Sequence, residues 1–334
     1  MNFILTFCIP TYNRETELIG AIKSIISSIL NYKDNHSYNF EIIVSDNCST
    51  DQTILYLDNF IAENKFKNIY ILKFRNSDNI GPSSNLISCS KLANGKYIWF
   101  FSDDDIMMID GVHNIITDLT TKQFSFSYAT RILVNDKLER IEGISAQPKL
   151  LNNQSVFGTG MELLKKLNIE ITSIIPFFSS IVILRHNWLI AAKKVEDDNE
   201  FSYLNILFEA IKVDRCIITA KPCVLCRINY RGFKRKNSYV WIDSFIKSFN
   251  FAKNIGYDEI VCKEMVTHIL SSHSKLYVID KANSFRNSNL FKLRNRLSWY
   301  KNNYYDRWFF ISLIPANTLR ILYIIIKYIR SKIF

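Results

Sequence analysis

Four short β-rich runs alternate with helical stretches over the first 105 residues, and this alternation limits the possible folds more than any other property of the chain. Strands are expected at Phe3–Ile9, Phe40–Ser45, Ile69–Phe74 and Tyr97–Ser102. Between them, Glu15–Leu30 carries Leu18, Ile22, Ile25, Ile26 and Ile29 at helical spacing. Asp51–Ala62 repeats the pattern with Ile54, Leu55, Leu57 and Ile61, and Ser83–Ala93 is a shorter third helix. Strand–helix–strand units joined in this way cross over right-handedly and build a mostly parallel sheet. The expected fold class is therefore α/β with a Rossmann-like, mostly parallel sheet. In such sheets ligands bind beyond the carboxyl ends of the strands.

The residues at those ends are polar. The first strand runs into Pro10-Thr11-Tyr12-Asn13-Arg14, the second into Asp46-Asn47-Cys48-Ser49-Thr50-Asp51, and the third into Arg75 and then Asn79-Ile80-Gly81-Pro82. The fourth, Tyr97-Ile98-Trp99-Phe100-Phe101, ends in Asp103-Asp104-Asp105. Each loop alone is explained by helix capping, with Ser49 or Asp51 capping the second helix; their joint placement on one rim is not. Two unit charges about 4 Å apart repel by roughly 1 kcal/mol in water and about 4 kcal/mol near a partly buried surface. The triplet therefore needs either solvent or a counter-cation. A solvated acidic turn satisfies it, and so does Mg²⁺ or Mn²⁺ bridging to phosphate oxygens.

Charge is unevenly spread. From Arg227 to the end there are 20 Lys and Arg against 6 Asp and Glu, a net +14, whereas the preceding part carries −3. A near-neutral body with a basic tail implies a region that meets an anionic surface: phospholipid, a lipid-linked pyrophosphate or nucleic acid. We divide the chain into a body at 1–230, with halves 1–110 and 111–230, and a basic helical region at 231–334. The seven cysteines are odd in number and show no framework spacing, which points to reduced thiols in a cytosolic protein. Cys223-x-x-Cys226 sits in an apolar run and reads as buried strand. Met1 to Pro10 lacks a basic region ahead of its apolar run, so it reads as a first strand and not a signal peptide.

Beyond the triplet, Asp110–Leu119 is expected as a helix, Phe124–Val134 as a strand and Asn135–Gly160 as a loop over the crevice. A strand at Ser179–Leu184, a helix from near His186, an apolar helix at Phe201–Ile211 and a last strand at Ile217–Ile228 follow, after which the chain reads as helical.

Four pieces, Ile9-Pro10-Thr11-Tyr12-Asn13-Arg14, Asp46-Asn47-x-Ser49-x-Asp51-x-Thr53, Asn79-x-Gly81-Pro82-x-x-Asn85 and Gly95-Lys96-Tyr97 leading to Ser102-Asp103-Asp104-Asp105, occur in order over about the first 110 residues. Together they resemble the inverting family 2 glycosyltransferases of GT-A fold, which transfer a sugar from a nucleoside diphosphate. Ile183-Leu184-Arg185-His186 and Lys221-Pro222-Cys223-Val224-Leu225-Cys226-Arg227 are more loosely similar to bacterial O-antigen and capsule enzymes of the abequosyltransferase type. The resemblance implies that Pro10, Thr11 and Asn13 line the nucleotide pocket, that Asp46 meets the base edge, that Arg75 and Gly81 border the pocket, and that Asp103 lies near the ribose. It places Asp104 at the last, metal-binding carboxylate of the family's DxD motif, with Asp105 as a second candidate ligand for Mn²⁺ or Mg²⁺. Ser102 stands where the commoner pattern has an acid, which leaves the registers Ser102-Asp103-Asp104 and Asp103-Asp104-Asp105 both open.

The implied chemistry is a single displacement: a divalent ion offsets the charge on the departing diphosphate, and a carboxylate takes the proton of the acceptor hydroxyl. The family's position for that base falls in Glu196–Glu200, so Asp198 and Glu200, with Asp197 behind them, are the candidates, and Tyr203 is the other residue near the equivalent position. The same acids also suit the positive end of the following helix. Arg227 and Arg231 are candidates for donor diphosphate or acceptor phosphate.

In the tail, Phe309–Ile329 approaches the roughly 20 residues that span a bilayer, but Pro315, Asn317, Arg320 and Lys327 argue against spanning. An interfacial helix fits better, and an ordinary packed helix is the other reading. From the resemblance follow a lipid-linked oligosaccharide acceptor, a peripheral cytoplasmic location on the inner leaflet of the bacterial plasma membrane, and no nucleic-acid partner. Two competitors are a sugar nucleotidyltransferase, which lacks support from a Gly-rich basic signature after strand one, and a non-enzymatic basic protein, which has no use for the acidic rim.

Overall fold

The computed structural model describes residues 2–121, 123–141, 154–167, 177–196, 199–227, 238–269 and 318. The chain divides into two compact units, Met1–Gly232 and Phe233–Phe334.

The first unit begins with β1 (Phe3–Thr11), α1 (Glu17–Asn31), β2 (Asn39–Asp46), α2 (Thr53–Glu63), β3 (Ile69–Arg75), α3 (Pro82–Leu92) and β4 (Tyr97–Phe100). The four strands lie side by side in the order β3-β2-β1-β4, all parallel. The chain winds one way from β1 through β2 to β3, then crosses to β4 on the other side of β1. That reversal opens a crevice between the carboxyl ends of β1 and β4, the usual ligand position in a doubly wound sheet.

Every side chain of β4 is buried, as both faces of a parallel sheet demand. Trp99 stacks on Phe7 with centroids 5.5 Å apart, and Phe100 packs on Trp188 at 4.6 Å. Their indole N–H groups donate to Ser179 O and Ser90 Oγ, each at 2.8 Å. Gly95 lets β4 enter against β1, since a Cβ there would lie 2.6 Å from Thr6 N and 2.8 Å from Leu5 C. This close approach explains the Gly-Lys-Tyr ahead of the apolar run.

The second half is built differently. After β5 (Ile106–Met107) and α4 (Gly111–Thr121) come β6 (Phe126–Tyr128), β7 (Arg131–Val134), β8 (Val156–Thr159), α5 (Gly160–Leu167), β9 (Ile181–Leu184), α6 (Arg185–Ala192), α7 (Ser202–Ile211), β10 (Arg215–Ile218) and β11 (Val224–Arg227). The large sheet continues β4-β9-β6-β10-β8, with β9 antiparallel to both its neighbours. A second sheet has the order β5-β11-β7.

Two single strands expected from sequence are each two strands. Phe124–Val134 breaks at Ala129-Thr130, where Ala129 N–H donates to Ser180 O and Thr130 O accepts from Cys223 N. Ile217–Ile228 breaks around Lys221-Pro222, where proline has no N–H for a ladder. Both chains break at the same level, so β6 and β10 pair in the large sheet and β7 and β11 pair in the small one. Within the expected loop Asn135–Gly160, β8 pairs antiparallel with β10 at the sheet edge. All seven cysteines are free, and Cys223 and Cys226 are buried as the sequence implied.

In the second unit, α8 (Ser238–Asn254) stacks Phe245 on Phe249 at 6.3 Å, and a further helix covers 259–269. Among the described residues no helix is long and apolar enough to cross a membrane. Phe309–Ile329, apart from Thr318, lies outside them.

Candidate active site

The site residues of the first loops are carried by the sheet itself. Pro10 pairs with Ser45, Thr11 with Asp46, and Asp46 with Arg75, so one rung across β1, β2 and β3 ends the parallel ladder in polar side chains. Asp46 is fully buried; its carboxylate accepts the Ser49 N–H at 3.1 Å and lies 3.4 Å from Arg75 Nε. Arg75 also donates to Ser49 O at 2.8 Å, which ties the β2 loop to β3.

Asn13 holds a left-handed backbone at φ 54°, a conformation asparagine tolerates better than most residues. Its N–H donates to Ser49 Oγ at 2.9 Å and its Oδ1 accepts the Thr50 N–H at 2.8 Å. Arg14 N–H donates to Thr53 Oγ1 at 2.9 Å. The loop after β1 is thereby locked onto the start of α2.

Gly81, at φ 85°, turns the chain into α3 with Pro82 in its first turn. A set of amides holds this turn. Asn47 Nδ2 donates to Asn79 Oδ1 at 2.8 Å, Asn47 Oδ1 accepts from Ile80 N at 3.0 Å and Asn76 Nδ2 at 3.1 Å, and Asn76 Nδ2 also donates to Asn85 Oδ1 at 2.9 Å. Asn85, buried beneath, accepts from Ser45 Oγ at 2.7 Å and donates to Ser45 O at 2.9 Å.

The three acids of the triplet are in three different situations. Asp103 is 8% exposed, with Arg14 Nε 3.8 Å from its Oδ1. Burial, and then the charge of Asp104, pushes its carboxyl up to about 7, with Arg14 pulling the other way. Asp104 keeps a partly open side chain; it accepts from Ser102 Oγ at 2.6 Å and lies 3.8 Å from an Arg14 amine. Asp105 is 3% exposed and committed at both oxygens: Ser179 Oγ donates to Oδ2 at 2.5 Å and the Arg227 N–H to Oδ1 at 3.0 Å. Burial and Asp104 push Asp105 up to about 7 as well, against those hydrogen bonds. Asp105 therefore fastens the triplet to β11, and its carboxylate does not open onto the crevice as a second ligand would.

A hard divalent ion fits this arrangement in one respect that matters. Asp103 and Asp105 are pushed up to about 7 by burial first and by the charge of Asp104 second, and a cation at Asp104 would offset that second part. Among the described residues no three His, Cys, Asp or Glu side chains converge as a complete cage. Mg²⁺ and similar ions commonly take one or two carboxylates and complete their shell with substrate phosphates and water.

Of the base candidates, Glu200 is exposed just ahead of α7, while Asp197 and Asp198 lie outside the described residues, as does Arg231. Asn199 Oδ1 accepts the Phe201 N–H at 2.8 Å in the turn leading into α7. Tyr203 is buried, and burial raises its phenol far above the ordinary range. Arg227 ends β11 with its N–H on Asp105. Two residues gain importance only in three dimensions. Arg14 faces two triplet acids, and Ser179 accepts the Ser102 N–H at 2.9 Å while holding Asp105. Arg14 lay inside a recognised motif, whereas nothing in the sequence marks Ser179.

A doubly wound sheet whose polar rim meets an acidic turn at the switch point defines an α/β protein with its candidate site at the carboxyl ends of β1 and β4. The Glycosyl transferase family 2 model matches residues 6–182. The chain belongs to that family: it is a glycosyltransferase of GT-A fold. It is 26% identical over 276 residues to abequosyltransferase RfbV of Salmonella typhimurium, covering 78% of this chain and 80% of that protein. It is 25% identical over 262 residues to the UDP-Glc:alpha-D-GlcNAc-diphosphoundecaprenol beta-1,3-glucosyltransferase WfaP of Escherichia coli, covering 78% and 90%. Among solved structures, S. aureus TarS 1-349 in complex with UDP-GlcNAc superposes with a TM-score of 0.62 at 14% identity, over 88% of this chain and 80% of that one. The mannosyltransferase PcManGT of Pyrobaculum calidifontis, in complex with GDP-Man and Mn²⁺, gives 0.52 at 12% identity, over 93% and 84%.

Proposed function

We propose that this chain transfers a sugar, with inversion at the anomeric carbon, from a nucleoside-diphosphate donor to a hydroxyl of a lipid-linked oligosaccharide during O-antigen or capsule synthesis. The observation that carries the reading is the join between the rim loops: the β1 loop is hydrogen-bonded to the β2 loop and ion-paired to the triplet after β4. One crevice thus offers Asp46 and the amide-held turn at one end and Asp104 at the other. The names of RfbV and WfaP support the polysaccharide setting, and that of WfaP the diphosphoundecaprenol-linked acceptor.

In this reading Pro10, Thr11 and Asn13 line the nucleotide pocket, Asp46 meets the base edge, Arg75 and Gly81 border the same pocket, and Asp103 lies toward the ribose. Asp104 holds Mn²⁺ or Mg²⁺, which when bound neutralises charge on the leaving diphosphate. The PcManGT complex supports metal use. A carboxylate of the segment before α7, Asp198 or Glu200 with Asp197 behind, takes the acceptor proton. Arg227 and Arg231 meet acceptor or donor phosphate. The domain at 1–230 performs the transfer, and the basic region 231–334, with 19 Lys and Arg against 6 Asp and Glu, attaches the enzyme to the anionic inner leaflet.

Thermal shift with UDP, GDP, CDP and dTDP, each with and without Mn²⁺, tests the reading; one nucleotide should stabilise in a metal-dependent way, by about 2.7 kcal/mol at a hundredfold excess over Kd. Asp104→Asn should lower transfer to lipid-linked acceptor by at least about a thousandfold, the scale of losing a main electrostatic contact to the leaving group. Unchanged turnover would remove Asp104 from the metal site.

A further inference from the structure

Arg14 faces three carboxylates and hydrogen-bonds to none of them. Its guanidinium nitrogens lie 3.8 Å from Asp103, 3.8 Å from Asp104 and 3.9 Å from Glu17, the first residue of α1. Arginine bound firmly to a carboxylate makes parallel contacts of about 2.7 to 2.9 Å. The backbone of Arg14, by contrast, is fixed through its own N–H to Thr53 and through the left-handed Asn13 before it. The base of the side chain is anchored and its head is only loosely held, over the most acidic point of the crevice.

We propose that Arg14 is a positioning residue that serves as the built-in cation of the donor-free site and passes its charge to the donor diphosphate when metal and nucleotide enter together. The proposal rests on the reading of Asp104 as the metal-holding carboxylate. With no donor present, Arg14 offsets part of the charge of Asp103 and Asp104 and repels a second cation from the same carboxylates. A diphosphate brings its own negative charge, so the crevice then accommodates both Arg14 and the divalent ion. Glu17, the third carboxylate, sits on the outer side of this exchange and retains the guanidinium at the rim. The consequence is order: metal alone is disfavoured, and metal with nucleotide is favoured.

Such a role predicts shifts of opposite sign. In the full chain, binding of Mn²⁺ alone and of Mn²⁺ with UDP, GDP, CDP or dTDP is measured by calorimetry and by the paramagnetic signal of free Mn²⁺. Arg14→Gln should bind Mn²⁺ alone about tenfold tighter, the effect of removing a neighbouring unit charge, and the Mn²⁺–nucleotide pair about tenfold more weakly. Arg14→Lys, which keeps the charge, should stay within about threefold of wild type for Mn²⁺ alone. A merely structural role would weaken both kinds of binding. Shifts of the same sign, or none in Arg14→Gln, overturn the proposal while Asp104→Asn still abolishes Mn²⁺–nucleotide binding. If Asp104→Asn binds the pair as wild type does, the metal reading itself is overturned, and this inference with it.

Discussion

The parallel half of the sheet, β3-β2-β1-β4, and the mixed half, β9-β6-β10-β8 with its small companion sheet, solve different problems with the same kind of residues. In the first, long strands separated by whole helices bring polar ends to one rung, and groups 36 to 89 positions apart in sequence meet because the winding repeats. In the second, short strands change sheet in mid-course, and their job is to hold the triplet from behind. Ser179, just ahead of β9, and Arg227, at the end of β11, both reach Asp105. The polar rim is an outcome of regular topology, and the support beneath it is made of individual contacts.

The widest difference should appear between Gly95 in the parallel core and Gly158 on the edge strand β8. Gly95→Ala drives a Cβ into the β1 backbone and should cost about 2 to 4 kcal/mol in denaturant unfolding, as overpacking against an immovable neighbour does. Gly158→Ala, on β8, meets the Glu162 carboxylate at 2.9 Å, the far end of a flexible side chain, and should cost less than about 1 kcal/mol. Equal costs would erase the distinction between a fixed parallel core and an adaptable edge.

Next in size is Ser179→Ala. It leaves the Ser102 N–H and one oxygen of Asp105 without their partner and should destabilise by about 1 to 3 kcal/mol. Nucleotide affinity should fall with it, because the triplet loses its rear support; loss of stability with unaltered affinity would confine Ser179 to the core.

The last contrast is a slope against pH. Asp103 and Asp105 bind their protons more tightly folded, at about 7, than at the ordinary value of 3.8. They therefore favour the metal-free folded state fully below about pH 4 and lose that contribution as pH rises through about 7. Asp103→Asn should flatten the decline of unfolding free energy between pH 4 and 8. An identical slope in wild type and variant would show that Asp103 titrates normally.

Much of the first half was legible because its determinants are local. Apolar periodicity marks each strand and helix, and the polar end of each strand stands next to it in sequence. The strands run slightly further than their apolar residues, since Thr11, Asp46 and Arg75 continue the ladder. The second half was legible as elements but not as connections. Nothing in Phe124–Val134 or Ile217–Ile228 states that two neighbouring strands leave one sheet together, because the break is set by pairing between segments about ninety residues apart. The same reason hid the contact of Ser179 and the ion pair of Arg14, whose partners lie 74 and 89 positions away, Asp105 for the former and Asp103 for the latter.

The turn at Gly81 is held by Asn47, Asn76, Asn79 and Asn85, all neutral amides. Such groups neither titrate nor respond strongly to ionic strength, whereas the Asp46–Arg75 pair beside them and Arg14 with its three acids across the rim are charged, and salt screens their interactions. A ligand touching both kinds of group is therefore gripped by two mechanisms with different sensitivity to the medium. Raising salt should loosen a nucleoside diphosphate far more than the corresponding nucleoside, so the ionic-strength dependence of a ligand reports which kind of group holds it.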